Sequence, residues 1–168
     1  MTDKDPLNAA GRIATTWEYL EATVEEAVLE LAGCPDYRGR AVTTYLSFPN
    51  MWRAMRVLLV AEFGPEFVGK KSRFSEIHIA VFGVRADRNK IIHAEWRTAP
   101  VDGDGEIATF DMNTRSSLTA TEARYTTQKL HQMADLAMTV HLDLLNFLTT
   151  ECGIVPLKSK YDLPLETS

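Results

Sequence analysis

The sequence has little cysteine and no long apolar run. Its only two cysteines, Cys34 and Cys152, lie far apart in a chain of 168 residues that is too long to need disulfide staples. Free thiols in a reducing compartment are therefore expected. The first residues, MTDKDPL, have neither the basic nor the apolar region of a secretory signal, so we expect a cytoplasmic protein. The longest apolar run, VLLVA, ends at Glu62, and a membrane helix needs about 20 apolar residues. No membrane span is expected.

The sequence also lacks an excess of positive charge and the usual metal-binding motifs. Its 18 Lys and Arg stand against 23 Asp and Glu, a net charge of -5 that argues against a general nucleic-acid coat protein. The charge is unevenly spread, because residues 53–97 carry nine basic and five acidic residues, a local charge of +4. No HExxH, CxxC or His/Cys cluster occurs, so neither a metal nor a cofactor is expected.

Apolar residues recur at steps of three and four, the spacing that keeps one face of a helix apolar. The predicted helices run from about Ile13 to Leu31, from Tyr37 to Leu46, from Ser47 with Pro49 in its first turn, from Ser72 or Phe74, and from Ala120–Glu122 to Gly153. Between the third and fourth helices, GPEFVGKK at 64–71 has two glycines and a proline and is predicted to be a loop.

The periodicity changes between Glu95 and Asn113. There EWRTAP and EIATFDM flank VDGDG, which is typical of two short strands joined by a Gly/Asp turn. The predicted fold class is therefore all-α, a bundle of four or five helices with a short β-hairpin inserted before the last long helix. Residues 1–152 are predicted to form a single domain and residues 153–168 a C-terminal tail.

The buried line of the fourth helix carries an unexpected charge. Ile77, Val81 and Val84 lie on this line, and the same steps lead to Arg88 and then to Ile91. A guanidinium cannot lose its charge, so Arg88 must be paired, lie at a subunit interface or face a polar pocket.

Two further polar residues follow Arg88. Asn89 and His93 are four residues apart, which places them on one helical face. Arg88 and His93 are five apart, about 140° around a straight helix, and do not converge there. They meet only if the Arg88 side chain swings round, if the helix deforms, or if two subunits meet across a two-fold axis. The third option predicts a homodimer.

The segment RNKIIHAEW, with an arginine, a polar residue and a histidine late in a helical bundle, resembles the signature of the HEPN superfamily (higher eukaryotes and prokaryotes nucleotide-binding). It also resembles the RN…H.W segment of many small bacterial HEPN-like proteins. The resemblance covers residues 9 to 152 loosely, and only Arg88, Asn89 and His93 match at the level of the motif. The predicted hairpin is additional to the minimal family bundle.

The resemblance implies metal-independent RNA cleavage, or RNA or nucleotide binding as in non-catalytic relatives. It further implies a toxin–antitoxin or phage-defence setting, with an antitoxin or a nucleotidyltransferase as partner. His93 would deprotonate a ribose 2′-OH or protonate the leaving 5′-oxygen, and Arg88 would hold the scissile phosphate. Asn89 would orient His93 or a phosphate oxygen, and the product would be a 2′,3′-cyclic phosphate.

A structural alternative explains the same residues. Arg88 would pair with an acidic residue of the first helix, while Asn89 and His93 would complete a hydrogen-bond network. The protein would then be a non-catalytic helical interaction or scaffold protein. The two hypotheses differ in what they require: catalysis needs His93 in an open cleft that holds two copies of Arg88, whereas a structural network buries His93 among protein partners.

Overall fold

The computed structural model describes the backbone of residues 6–92, 95–98, 106–112 and 120–155, and the side chains of residues 6–92 and 125–155. These residues form the helices α1 (Pro6–Leu31), α2 (Tyr37–Thr43), α3 (Phe48–Phe63), α4 (Pro65–Ile92) and α5 (Thr127–Asn146), and the strands β1 (Glu95–Thr98), β2 (Glu106–Met112) and β3 (Ala120–Thr126). A π-helical turn, Phe147–Glu151, continues α5. The described chain is predominantly helical, which confirms the helical part of the predicted class. No helix within it is long and apolar enough to cross a membrane.

The predicted helix ends are mostly confirmed by local chemistry. Gly33 and Gly153 adopt positive φ angles of 66° and 67°, so each ends its helix in a conformation that glycine tolerates best. At α2, the Asp36 side chain accepts hydrogen bonds from the backbone N–H groups of Arg38 and Gly39 and so caps the first turn. The helix ends at Thr43 rather than at Leu46, with Thr44 as its C-cap residue, and the Thr44 backbone N–H donates a hydrogen bond to the Arg40 carbonyl oxygen.

The predicted loop at residues 64–71 is wrong. Only Gly64 interrupts the helices, with φ at 49°, and α4 begins immediately at Pro65. Proline suits the first helical position, because its missing N–H has no partner there and its φ angle is already helical. Phe67 is buried and packs edge-on against Phe74 at 5.6 Å between ring centroids, so this first stretch of α4 belongs to the core.

The predicted hairpin is confirmed in part, and the predicted start of the last helix is wrong. Strands β1 and β2 pair antiparallel, with Glu95 opposite Phe110 and Thr98 opposite Ile107. A third strand, β3, then pairs with β2 over residues 120–126, where the last helix was expected to begin. The alanines and Glu122 of ATEARYT suggested a helix, but its threonines and tyrosine favour a strand once a neighbouring edge is available. Helix α5 begins at Thr127.

The chain divides into two compact units. One contains the described residues up to Glu18 and from His78 to His141, and the other contains residues 19–77 and the described residues from Leu142 onward. The single domain predicted over 1–152 stays a prediction. The predicted tail lies mostly outside the described residues, which end at Val155.

Each unit has its own apolar centre. In the first unit, buried residues of α1, α4 and α5 pack together with the partly buried Ile92 and Tyr125, namely Ala9, Ala10, Ile13, Ile91, Leu130, Met133 and Ala134. In the second unit, Phe74 lies at the middle of an aromatic cluster, 5.3 Å from Trp52 and 5.8 Å from Phe147 between ring centroids. The first centre includes the C-terminal turns of α4, and it is there that the candidate site lies.

Gly39 of α2 offers a direct test of packing in the second unit. A Cβ atom at this residue would clash with the Cys34 carbonyl oxygen and lie 2.6 Å from Leu29 Cδ2, whereas one at Gly69 of α4 would meet nothing within 4 Å. We expect Gly39→Ala to lower the free energy of unfolding by about 2 kcal/mol or more, because backbone must move. Gly69→Ala, the matched control, should raise it by up to about 1 kcal/mol. Urea unfolding measures both, and equal effects would contradict the packing described.

Candidate functional site

Arg88 lies on the core line of α4, as the periodicity predicted. Its neighbours on that line, Val84 and Ile91, are buried, while Arg88 itself is only partly buried. It lines a small depression together with residues of α1, α4 and α5, namely Ile13, Val84, Asp87, Met133 and Leu136. The guanidinium of Arg88 and the carboxylate of Asp87 therefore share a wall with four apolar side chains.

The Arg88 side chain bends around the helix toward its neighbour. Its Nη1 atom donates a hydrogen bond to Asn89 Oδ1 at 3.2 Å. Consecutive residues point about 100° apart on a helix, so the guanidinium is drawn off the core line and toward the Asn89 side. Convergence of Arg88 with His93, by any of the three routes considered, stays a prediction. Helix α4 remains α-helical through Ile92.

His93 is the residue that follows α4 in the sequence, and it lies outside the described residues. Its role as general acid or base stays a prediction of the motif. Of the three predicted site residues, Arg88 and Asn89 are thus brought together by a direct hydrogen bond at the end of α4.

Acidic residues of α1 have partners in their own unit. Glu25 Oε2 lies 3.8 Å from Arg40 Nη1, and the buried Glu26 Oε1 lies 3.6 Å from Arg40 Nη2. Glu25 also accepts a 2.6 Å hydrogen bond from the Thr43 hydroxyl. The structural alternative pairs Arg88 with an acidic residue of the first helix. Two of those acidic residues are thus paired with Arg40, which links α2 to α1.

A second set of side chains on α4 was missed by sequence reasoning. His78, Phe82 and Arg85 follow one another at steps of four and three, so they share one helical line, and Asn89 is the next residue on it. The imidazole of His78 contacts the Phe82 ring at 4.5 Å between centroids, and the Arg85 guanidinium carbon lies 6.0 Å from the same ring. The spacing is visible in the sequence, but these residues lie off the core line that the apolar periodicity identifies.

Other groups supply little chemistry. Within the described residues, no group of three or more His, Cys, Asp or Glu side chains could hold a metal ion. Cys34 and Cys152 are free thiols. Burial raises the pKa of the Cys152 thiol, which disfavours the reactive thiolate. Burial also lowers the pKa of His141 on α5, so its neutral form is favoured.

Comparison with known proteins gave no match to a family model, to a curated protein or to a solved structure. The HEPN-like bundle therefore stays a prediction, and a function for this chain must be argued from the end of α4 itself.

Replacing Arg88 by an apolar residue separates a structural role from a functional one. Leucine suits the core line of α4, so we expect Arg88→Leu to leave the free energy of unfolding unchanged or to raise it by about 1 kcal/mol. Arg85→Leu, the same exchange at a neighbouring half-exposed residue, is the control for removing an arginine from α4. A loss of about 3 kcal/mol for Arg88→Leu alone, measured by urea unfolding, would instead identify Arg88 as part of a structural charge network.

Proposed function

We propose that the protein is an RNA-binding, metal-independent endoribonuclease of HEPN-like type that acts as a homodimer in the cytoplasm. The observation that supports this most is Arg88, a residue of the core line of α4 whose guanidinium donates a hydrogen bond to Asn89, four residues before His93 in the sequence. A charge on an apolar line has a cost in desolvation free energy that a leucine would not have, so a functional role would explain why an arginine is present there.

The chemistry of these residues suits phosphodiester cleavage. A guanidinium binds two phosphate oxygens at once and stabilises the charge that develops on them during transfer. Asn89 already fixes the guanidinium orientation through its Oδ1 atom, which leaves its amide N–H groups to donate to a phosphate oxygen or to His93. In the proposed mechanism His93 takes the proton of the 2′-OH, and the 2′-oxygen attacks phosphorus and displaces the 5′-oxygen. The 5′-oxygen takes up a proton from water, so the products are a 2′,3′-cyclic phosphate and a 5′-hydroxyl.

The size of the depression favours an extended ligand over a small one. Its volume is about 10 Å³, roughly the space of one water molecule, whereas pockets for small ligands usually hold about 300–1,000 Å³. The Arg88 side chain can contact a phosphate from this shallow wall, but a metabolite would not be enclosed there. A polymer that lies across the surface fits better.

A homodimer is supported by the outer face of α4. Ile79 is 71% exposed, and the small residues Gly83 and Ala86 that share its face are also exposed. Glycine inside a helix costs about 1 kcal/mol relative to alanine, and a Cβ atom at Gly83 would meet nothing within 4 Å among the described residues. A second copy of α4 that crosses at Gly83 would make use of this residue, and Asn89 would lie beside the crossing.

The alternative of a non-catalytic interaction protein also has an observation in its favour. Three large apolar residues of α2 and the turn after it, Tyr37, Val42 and Tyr45, are between 67% and 89% exposed. Side chains of this kind are enriched where proteins bind one another. A toxin–antitoxin or phage-defence role, with an antitoxin or nucleotidyltransferase partner, stays a prediction of the resemblance.

The proposed activity predicts a specific pattern of variants. With EDTA present, wild-type protein should cleave single-stranded RNA. Arg88→Gln should lower the rate by about 100-fold or more, and His93→Ala by about 100- to 10,000-fold. Arg56→Gln, which removes an equal charge from an exposed residue of α3, should retain the wild-type rate. Gel-resolved cleavage under single-turnover conditions measures all four proteins, and equal rates throughout would refute the catalytic assignment.

The proposed dimer is tested separately. Ile79→Glu introduces a charge on the α4 face and should weaken self-association by about ten-fold or more in sedimentation experiments. Val57→Glu is the matched control, because Val57 of α3 is 62% exposed and lies on another helix. A wild-type protein that is monomeric at micromolar concentration, or equal weakening by both variants, would contradict the interface on α4.

A further inference from the structure

A strip of neighbouring side chains runs along α4 beside the candidate site. It consists of His78, Phe82 and Arg85, which we call the aromatic strip, and it continues on the same helical line to Asn89. The distance along the helix axis from His78 to Asn89 is about 16 Å, since each residue advances about 1.5 Å. All four residues belong to the same compact unit.

The aromatic strip differs from the aromatic residues of the core. Phe67, Phe74 and Phe147 are each no more than 4% exposed, whereas Phe82 is only partly buried and His78 is exposed. The His78 and Phe82 rings are tilted by 45°, and the Arg85 guanidinium approaches the Phe82 ring at 6.0 Å. The strip thus places a phenyl ring, an imidazole and a guanidinium next to one another on α4, and each of these planar groups is of a kind that stacks on nucleobases.

The charge near the strip favours an anionic ligand. Arg85 lies within it, and the Arg88 guanidinium bends toward Asn89 at its end. The neighbouring Asp87 and Lys90 are 3.6 Å apart and offset each other. A second copy of this chain that packed strip to strip across a two-fold axis would bring like charges together, which costs free energy.

We infer that the aromatic strip binds single-stranded RNA, with a base stacked on Phe82, a phosphate held by Arg85, and the strand directed along α4 toward Arg88 and Asn89. This inference rests on the proposed function and identifies how its substrate is recognised. Bases of a duplex are already stacked on one another and cannot reach the Phe82 ring, so the strip selects unpaired RNA. Arg85 and Phe82 are binding residues here, and the bond cleaved remains the one at Arg88.

The test measures binding apart from cleavage. The probe is a short, fluorescently labelled 2′-O-methyl RNA strand, which the proposed 2′-OH attack cannot cut, and its affinity is read by fluorescence anisotropy. Phe82→Leu retains apolar packing but removes the ring, and should weaken binding by about ten-fold, the effect of losing one stacked base. Phe82→Trp should retain the affinity. An abasic strand of equal length should bind wild type and Phe82→Leu equally.

Arg85 has a matched control on its own helix. Arg85→Gln should weaken binding of both the base-bearing and the abasic strand and reduce the dependence of affinity on salt, because one phosphate contact is lost. Lys90→Gln removes the same charge away from the strip and should have a smaller effect. Circular dichroism checks that each variant retains its helices.

The possible outcomes distinguish the strip from the proposed function. If wild type binds the strand but Phe82→Leu and Arg85→Gln behave like Lys90→Gln, the inferred role of the strip in RNA binding is wrong. The proposed cleavage at Arg88 is not contradicted by that result. If the strip variants weaken binding but wild type never cuts unmodified RNA, the inferred RNA binding by the strip is supported and the proposed catalysis is wrong. No binding of RNA by wild type overturns both. Weaker self-association of Phe82→Leu with unchanged RNA affinity would identify the strip as a protein interface and overturn the inference.

Discussion

The positive charge of Arg88 is the constraint on which the account of this protein depends. A guanidinium keeps its charge at every physiological pH, so a fold that carries one on an apolar line must provide it with polar surroundings. Here the Arg88 guanidinium donates a hydrogen bond to the side-chain oxygen of Asn89, and Arg88 lines a shallow depression. The site therefore lies where the helical period calls for an apolar residue and the sequence has an arginine instead.

Helix α4 combines several tasks because its faces differ. Its buried line includes Val81, Val84 and Ile91, and Ile91 belongs to the apolar centre of the first unit. The outer face around Gly83 is small and exposed, the form that close approach of another helix requires. Between the two runs the line of His78, Phe82, Arg85 and Asn89. The proposed polymer-binding surface is therefore a line of side chains along one helix.

Sequence periodicity predicted much of this arrangement, for physical reasons. The core line of α4 and the place of Arg88 on it follow from steps of three and four, which depend only on the helical period. The run at 64–71 was misjudged because glycine and proline were counted as loop formers, although Pro65 occupies a first turn and Phe67 is buried. Strand β3 was missed because its partner edge is an effect of the tertiary fold. The hydrogen bond between Arg88 and Asn89 could not be predicted from the sequence, because residue spacing does not determine side-chain rotamers.

The most direct measurement of the central claim is the chemistry of the RNA ends that the protein produces. Attack by the 2′-oxygen leaves a 2′,3′-cyclic phosphate on one fragment and a 5′-hydroxyl on the other, and mass spectrometry of RNA incubated with the protein and EDTA identifies both. The account predicts these ends, with their yield lost in Arg88→Gln. Intact RNA, or fragments with a 5′-phosphate and a 3′-hydroxyl that form equally with Arg88→Gln, would contradict it.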